Sequence, residues 1–176
     1  MLRSVIRTFG TGFAVAFALI LGFAVTASAQ SQAEFKRELK AMQSLYKEPG
    51  LMEVTVKSMR GMMMLTGNTA TDDQSKKAEE IIKGMRGVKE VRNRIRVGKV
   101  DECSKVKDDE LMAKVEKEIA NDEELTQARR KVDIAIKDRN VVLKGSLKDY
   151  SQAGSLVYLV KRVPCFNSMN FDELEY

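Results

Sequence analysis

Apolar and polar positions alternate along GVKEVRNRIRV, residues 87–97. Val91, Asn93, Ile95 and Val97 share one parity, and Arg92, Arg94 and Arg96 share the other. Alternation at period two predicts a strand with one covered and one open face. The stretch VTVKSMRGMMMLTGN, from Val54, carries two more short strands joined by a hairpin. Before them the period changes: Phe35, Leu39 and Met42 recur at helical spacing in AEFKRELKAMQSLYK. A second helix is expected after Thr71-Asp72-Asp73, with Thr71 as its N-cap and Gly87 as the glycine that closes it. The order is helix, strand, hairpin, strand, helix, strand.

The whole pattern recurs at an offset of 78 residues. Val54 falls on Val132, Val56 on Ile134, Met63 and Met64 on Val141 and Val142, Leu65 on Leu143 and Gly67 on Gly145. Further on, Ile81 and Ile82 fall on Leu159 and Val160, Lys83 on Lys161 and Val91 on Met169. Upstream a small gap is needed before Leu111, Val115 and Ile119 supply the helical spacing in DDELMAKVEKEIAND. Asp108, Asp109 and Glu110 stand in its first turn, where they complement the helix dipole. Pro164 takes the helix-stopping place in the second repeat.

In the first repeat, the inward parity holds Val54, Val56, Met63, Leu65, Val91, Ile95 and Val97, which make a core together with Met85. The open parity holds Thr55 and Lys57, then Met62, Met64 and Thr66, then Arg92, Arg94 and Arg96. The equivalent face of the second repeat shows Asp133, Lys137, Asn170 and Asp172.

The segment before these repeats has a different character. Arg3 and Arg7, an apolar run from Phe13 to Val25 and the small residues Ala27-Ser28-Ala29 read as a secretory signal peptide, residues 1–29. An uncleaved anchor is the alternative, barely long enough for a span of about 20 residues. Cleavage near Ala29 takes the net charge from +5 to +3, and that charge is unevenly spread. Residues 31–100 hold 15 Lys and Arg against 9 Asp and Glu, whereas residues 101–176 hold 13 against 16. A split of this kind points to an acidic partner for the first half, or to halves that face each other, rather than to nucleic acid.

The two cysteines, Cys103 and Cys165, are 62 residues apart. In an exported chain an even count favours a disulfide, worth roughly 4 kcal/mol on the chain-entropy account. Two buried free thiols are the alternative. No catalytic constellation is visible. The chain has no histidine to serve as a base. The acidic clusters Asp108-Asp109-Glu110 and Asp122-Glu123-Glu124 read as solvated helix surface and lack the spaced ligands and glycine of a calcium loop. No phosphate-cradling glycine pattern occurs. No cofactor and no metal are therefore expected.

The residues V-x-V, turn, MMLTG or VVLKG, helix, then GVKEVRNRIRV resemble the BON domain family, whose members read V-x-V, turn, V-x-L-x-G, helix, GV-x-x-V-x-N-x-L. Leu65, Gly67, Gly87, Val88, Val91, Asn93 and Ile95 stand at those places. The second repeat keeps Val132, Ile134, Val142, Leu143 and Gly145 but has Pro164-Cys165-Phe166 for glycine-valine. The resemblance implies an α+β fold of two tandem αββαβ units, each a three-stranded mixed sheet with two helices on one face. The units span residues 33–98 and 103–176. It also implies a periplasmic envelope protein, peripheral to the membrane, with no catalytic residues and a link to anionic phospholipid, envelope integrity and osmotic stress.

Three readings of the arginine face follow. Arginine pairs bidentately with phosphate and methionine is an adaptable apolar contact, so Lys57, Met62, Met64, Arg92, Arg94 and Arg96 would suit an anionic headgroup layer. The face is otherwise an ordinary solvated strand, or an interface with the acidic second repeat. Clustered methionines also suit a holdase or an adaptor for outer-membrane proteins. The expectation is a non-enzymatic lipid-surface binder.

Overall fold

The structure, a computed structural model, describes residues 32–98, 103 and 105–176. The signal peptide read at residues 1–29 lies outside the described residues. Glu34–Tyr176 form one compact unit. The first repeat runs α1 (residues 32–45), β1 (Thr55–Met59), β2 (Met62–Thr69), α2 (Asp72–Lys83) and β3 (Glu90–Val97). The second runs α3 (Asp108–Ala120), α4 (Glu123–Ala128) with a 3-10 turn over Arg129–Lys131, β4 (Val132–Lys137), β5 (Asn140–Ser146), α5 (Tyr150–Arg162) and β6 (Ser168–Glu175).

Each repeat has its own three-stranded mixed sheet, β1-β2-β3 and β4-β5-β6, with an antiparallel hairpin followed by a parallel strand. The 78-residue offset holds in the ladders. Val56 pairs with Leu65 and Ile134 with Leu143; Met63 pairs with Val91 and Val141 with Met169. It breaks where β6 bulges: Thr66 faces Arg94, whereas Lys144 faces Glu173, one residue further along.

Both hairpins turn through two residues with positive φ, Arg60-Gly61 and Asp138-Arg139, as tight turns joining twisted strands require. An acid from the first helix of each repeat anchors the turn. Glu34 accepts from the Arg60 amide at 2.7 Å, and Asp108 accepts from the amides of Asp138 and Arg139. The glycine near the end of each second strand has a steric cause. A Cβ on Gly67 would lie 2.2 Å from the Glu53 carbonyl oxygen, and one on Gly145 would lie 2.1 Å from that of Lys131.

Thr71 caps α2 as expected, in a reciprocal box with Gln74. Gly87 does not close that helix. The C-cap is Gly84 in right-handed conformation, and the positive φ falls three residues later at Gly87, in the turn into β3. Cys165 holds the corresponding place in the second repeat and takes nearly the same conformation, φ 82° against 86°. It is disulfide-bonded to Cys103, with Cα atoms 5.1 Å apart.

Val54, Val56, Met63 and Leu65 are fully buried, as parity predicts, while Val91, Ile95 and Met85 are half-buried. Val97 is a correction: it is 44% exposed. The Asn93 side chain reaches Ser75 near the start of α2. Four strand residues advance about 13 Å, while the helix has only about 5 Å left before it begins. Val97 therefore projects beyond its cover. The short helix α4 has no counterpart in the first repeat. Its signal was Asp122, whose carboxylate caps Leu125.

Candidate functional site

The open face of the first sheet is built by register. Lys57 on β1 pairs with Met64 on β2, which pairs with Arg92 on β3; Thr55, Thr66 and Arg94 form the next row, and Asn68 stands beside Arg96. Arg92, Arg94 and Arg96 are exposed, and none projects into the helix layer. Met62 and Met64 are half-buried, and Met59, at the hairpin corner opposite Met62, is 54% exposed.

The cations on this face differ in what holds them. Arg92 Nε lies 2.8 Å from Glu90 Oε1, a partner that shares its parity and that the sequence reading overlooked. Both side chains are about half exposed, so the pair contributes at most about 1 kcal/mol. Arg94 and Arg96 have no ion pair among the described residues. Lys57 is set apart. Its Nζ lies 3.4 Å from the buried carboxylate of Glu38, which also accepts from the Ser58 amide, and 5.9 Å from the Tyr158 ring centre. Asp172 of the second repeat does not meet these arginines; it pairs with Lys47 at 2.5 Å.

Asn93, on the covered side of β3, ties the strand to α2. Its amide donates to Ser75 O, Ser75 Oγ and Glu79 Oε2, and its oxygen accepts from the Ile95 amide. Lys83 and Asn93 together hold the Glu79 carboxyl below the ordinary range.

A second feature lies at the seam between the repeats. The α1 side of the first repeat meets α5 and β6 of the second: Lys36 Nζ stands 4.4 Å from the Tyr150 ring centre, and the Met169 amide donates to Tyr46 O at 2.7 Å. Lys161 crosses the seam, donating to Val54 O at 3.0 Å and to Thr55 Oγ1 at 2.5 Å. Burial lowers its pKa to about 8, against the opposing pull of Glu53. Beside it a cleft of about 450 Å³ opens, lined by Glu53, Arg139, Lys161, Phe166 and the disulfide. Burial also drives the Tyr46 phenol well above its usual range, reinforced by Tyr158. Sequence spacing placed Lys161 on Lys83 but gave no sign that one is buried at a joint while the other pairs with Glu79 on a helix surface.

Among the described residues no cluster of three or more His, Cys, Asp or Glu is disposed to hold a metal, and no helix is long and apolar enough to cross a membrane. Residues 28–99 match the BON domain family. No curated protein matches the chain. Among solved structures, it is similar to the C-terminal domain of CdsD, a structural protein of the type III secretion system of Chlamydia trachomatis. That likeness has 12% identity and a TM-score of 0.32, over 75% of this chain and 61% of that one. A second CdsD structure gives 12% and 0.32 over 83% and 63%. The chain thus spans about three fifths of the CdsD chains it matches.

Proposed function

We propose that this chain, with a BON domain at residues 28–99 as the premise, is a non-catalytic protein of the bacterial periplasm that binds anionic phospholipid surfaces through the open sheet face of its first repeat. The BON family is linked to phospholipid binding and to envelope or osmotic functions. The second repeat, with the same sheet order and the same register offset, is read as a second, divergent BON domain. The disulfide fits an oxidising compartment.

The observation that carries the reading is the exposure of Arg92, Arg94 and Arg96 on one uncovered face, next to the half-buried Met62 and Met64. Each basic residue near an anionic surface contributes about 1 kcal/mol. The methionines offer a deformable apolar contact once the arginines hold the headgroups. Reversing two arginines changes four charge units, about 4 kcal/mol on the same scale, or roughly a thousandfold in partitioning.

Flotation with liposomes of neutral and anionic composition tests this. The protein is expected to float with anionic vesicles only, to lose them as salt rises past the screening range, and to stay behind as Arg92→Glu/Arg94→Glu. Equal flotation of that variant would sink the proposal. Suppression of client aggregation without liposomes would point instead to a holdase acting at Met59 and Met62.

A further inference from the structure

The two sheet edges that the repeat makes equivalent are treated differently. The outer edge of β6 is covered by the end of α1 and the residues after it. The Met169 amide donates to Tyr46 O at 2.7 Å, the Gly50 amide to Asn167 O at 3.2 Å, and Gln43 Nε2 to Phe171 O at 3.4 Å. Lys47 seals the contact on Asp172. Under this cover Met169 and Phe171 are 0% exposed. Seventy-eight residues earlier, Lys89, Val91 and Asn93 occupy the same places, yet the outer edge of β3 carries no strand among the described residues and every residue of β3 is exposed or half-buried. A bare edge is a template for another chain.

The element that covers β6 also has its repeat counterpart. Tyr46 is the first residue after α1, and Asn121 is the first after α3. The Asn121 carbonyl meets no donor among the described residues, and its side chain is exposed. The next residue is Lys47 in one case and Asp122 in the other, followed in the second repeat by the exposed Glu123. Across the contact, Asp172 falls on Arg94 by sequence offset, and the β6 bulge sets the neighbouring acid Glu173 level with Arg94 in the ladder, so this stretch of β6 is acidic where that of β3 is basic. The charges are exchanged on both sides: Lys47 meets Asp172 within the chain, and an acidic Asp122-Glu123 corner would meet the basic Arg94 edge.

We infer that the bare β3 edge is an interface for a second copy of this chain, which docks the corner after its α3, Asn121 to Glu123, as residues 46–50 dock on β6. The Val91 amide takes the place of Met169 and the Asn121 carbonyl that of Tyr46. The contact joins unlike surfaces, so it propagates head to tail into a ring or a filament rather than closing a two-fold dimer. Within the chain, the short linker holds the same contact at an effective concentration of order millimolar. Between chains it is therefore weak in dilute solution and favoured where molecules are crowded. Docking engages Arg94 and leaves Arg92 and Arg96 on the open face. The inference goes beyond the membrane reading and does not depend on it.

Sedimentation velocity without lipid tests it, from micromolar to millimolar protein. The wild-type chain is expected to show a weight-average sedimentation coefficient that climbs with concentration and falls back with added salt. Arg94→Glu should stay monomeric, and so should Asp122→Asn/Glu123→Lys, where asparagine keeps the cap of α4. An equimolar mixture of the two variants should associate again, because each basic or acidic edge then finds its opposite. A wild-type chain that is monomeric at millimolar concentration overturns the inference. So does either variant associating like the wild type, or a mixture that fails to recover. Loss of lipid flotation leaves these outcomes untouched.

Discussion

Cys165 occupies the left-handed conformation that Gly87 takes in the first repeat, and it is held there by the bond to Cys103. Removing the bond therefore does two things. It releases a loop of 62 residues, worth about 4 kcal/mol. It also leaves a side chain at φ 82° with nothing to hold it, at a cost of about 1 kcal/mol that glycine would not incur. The pair Cys103→Ala/Cys165→Ala and Cys103→Ala/Cys165→Gly separates the two effects. Both lose the bond, but the glycine variant is expected to be more stable by about 1 kcal/mol. Gly87→Ala supplies the reference. A Cβ there meets nothing within 4 Å, so its cost is backbone conformation alone and should be of the same size. Urea unfolding reads all three as shifts in midpoint at unchanged slope. If the glycine variant is no more stable than the alanine one, while Gly87→Ala still costs about 1 kcal/mol, the claim that Cys165 replaces a repeat glycine in kind is refuted.

Gly67→Ala and Gly145→Ala place a Cβ about 2 Å from a backbone oxygen that cannot move aside, so each should cost more than about 3 kcal/mol in a thermal or denaturant melt. Asn93→Leu removes three donations and one acceptance between β3 and α2 and should cost about 1–2 kcal/mol in the same melt, with looser amide protection in α2. Lys161 binds protons less tightly in the folded state than in the unfolded one, so the fold is penalised while the amine stays charged. Stability should rise as pH climbs from about 8 toward 10, and that rise should be absent from Lys161→Met when denaturation midpoints are compared across the range. Above pH 10 the Tyr46 phenol works the other way, because its folded-state value is raised and its unfolded form ionises first.

Features set by local sterics and period were legible in the chain. Strand alternation placed Val56, Met63 and Leu65 inside and the arginines outside, because a period-two pattern admits no other assignment once one face is covered. The glycine near the end of each second strand was visible as a motif, and its reason is a backbone carbonyl just upstream of the first strand, that of Glu53 or Lys131. Contacts between repeats were not legible, since an offset aligns equivalent residues and says nothing of how the units meet. Lys83 and Lys161 are the same position by count. One pairs with Glu79 on a helix surface, and the other reaches Val54 and Thr55 in the neighbouring repeat. Acidic residues in the second half and basic ones in the first suggested a contact between the arginines and Asp172, but Asp172 pairs with Lys47, carried just past the end of α1. A symmetric pair of repeats joined in one chain can satisfy one of its two equivalent joints internally, and the other remains on the outside. The first repeat's arginines are exposed by strand parity, and the open joint adds a bare edge beside Arg94, so any ligand for them, lipid or protein, acts on a surface without an ion-pair partner for Arg94 and Arg96 among the described residues.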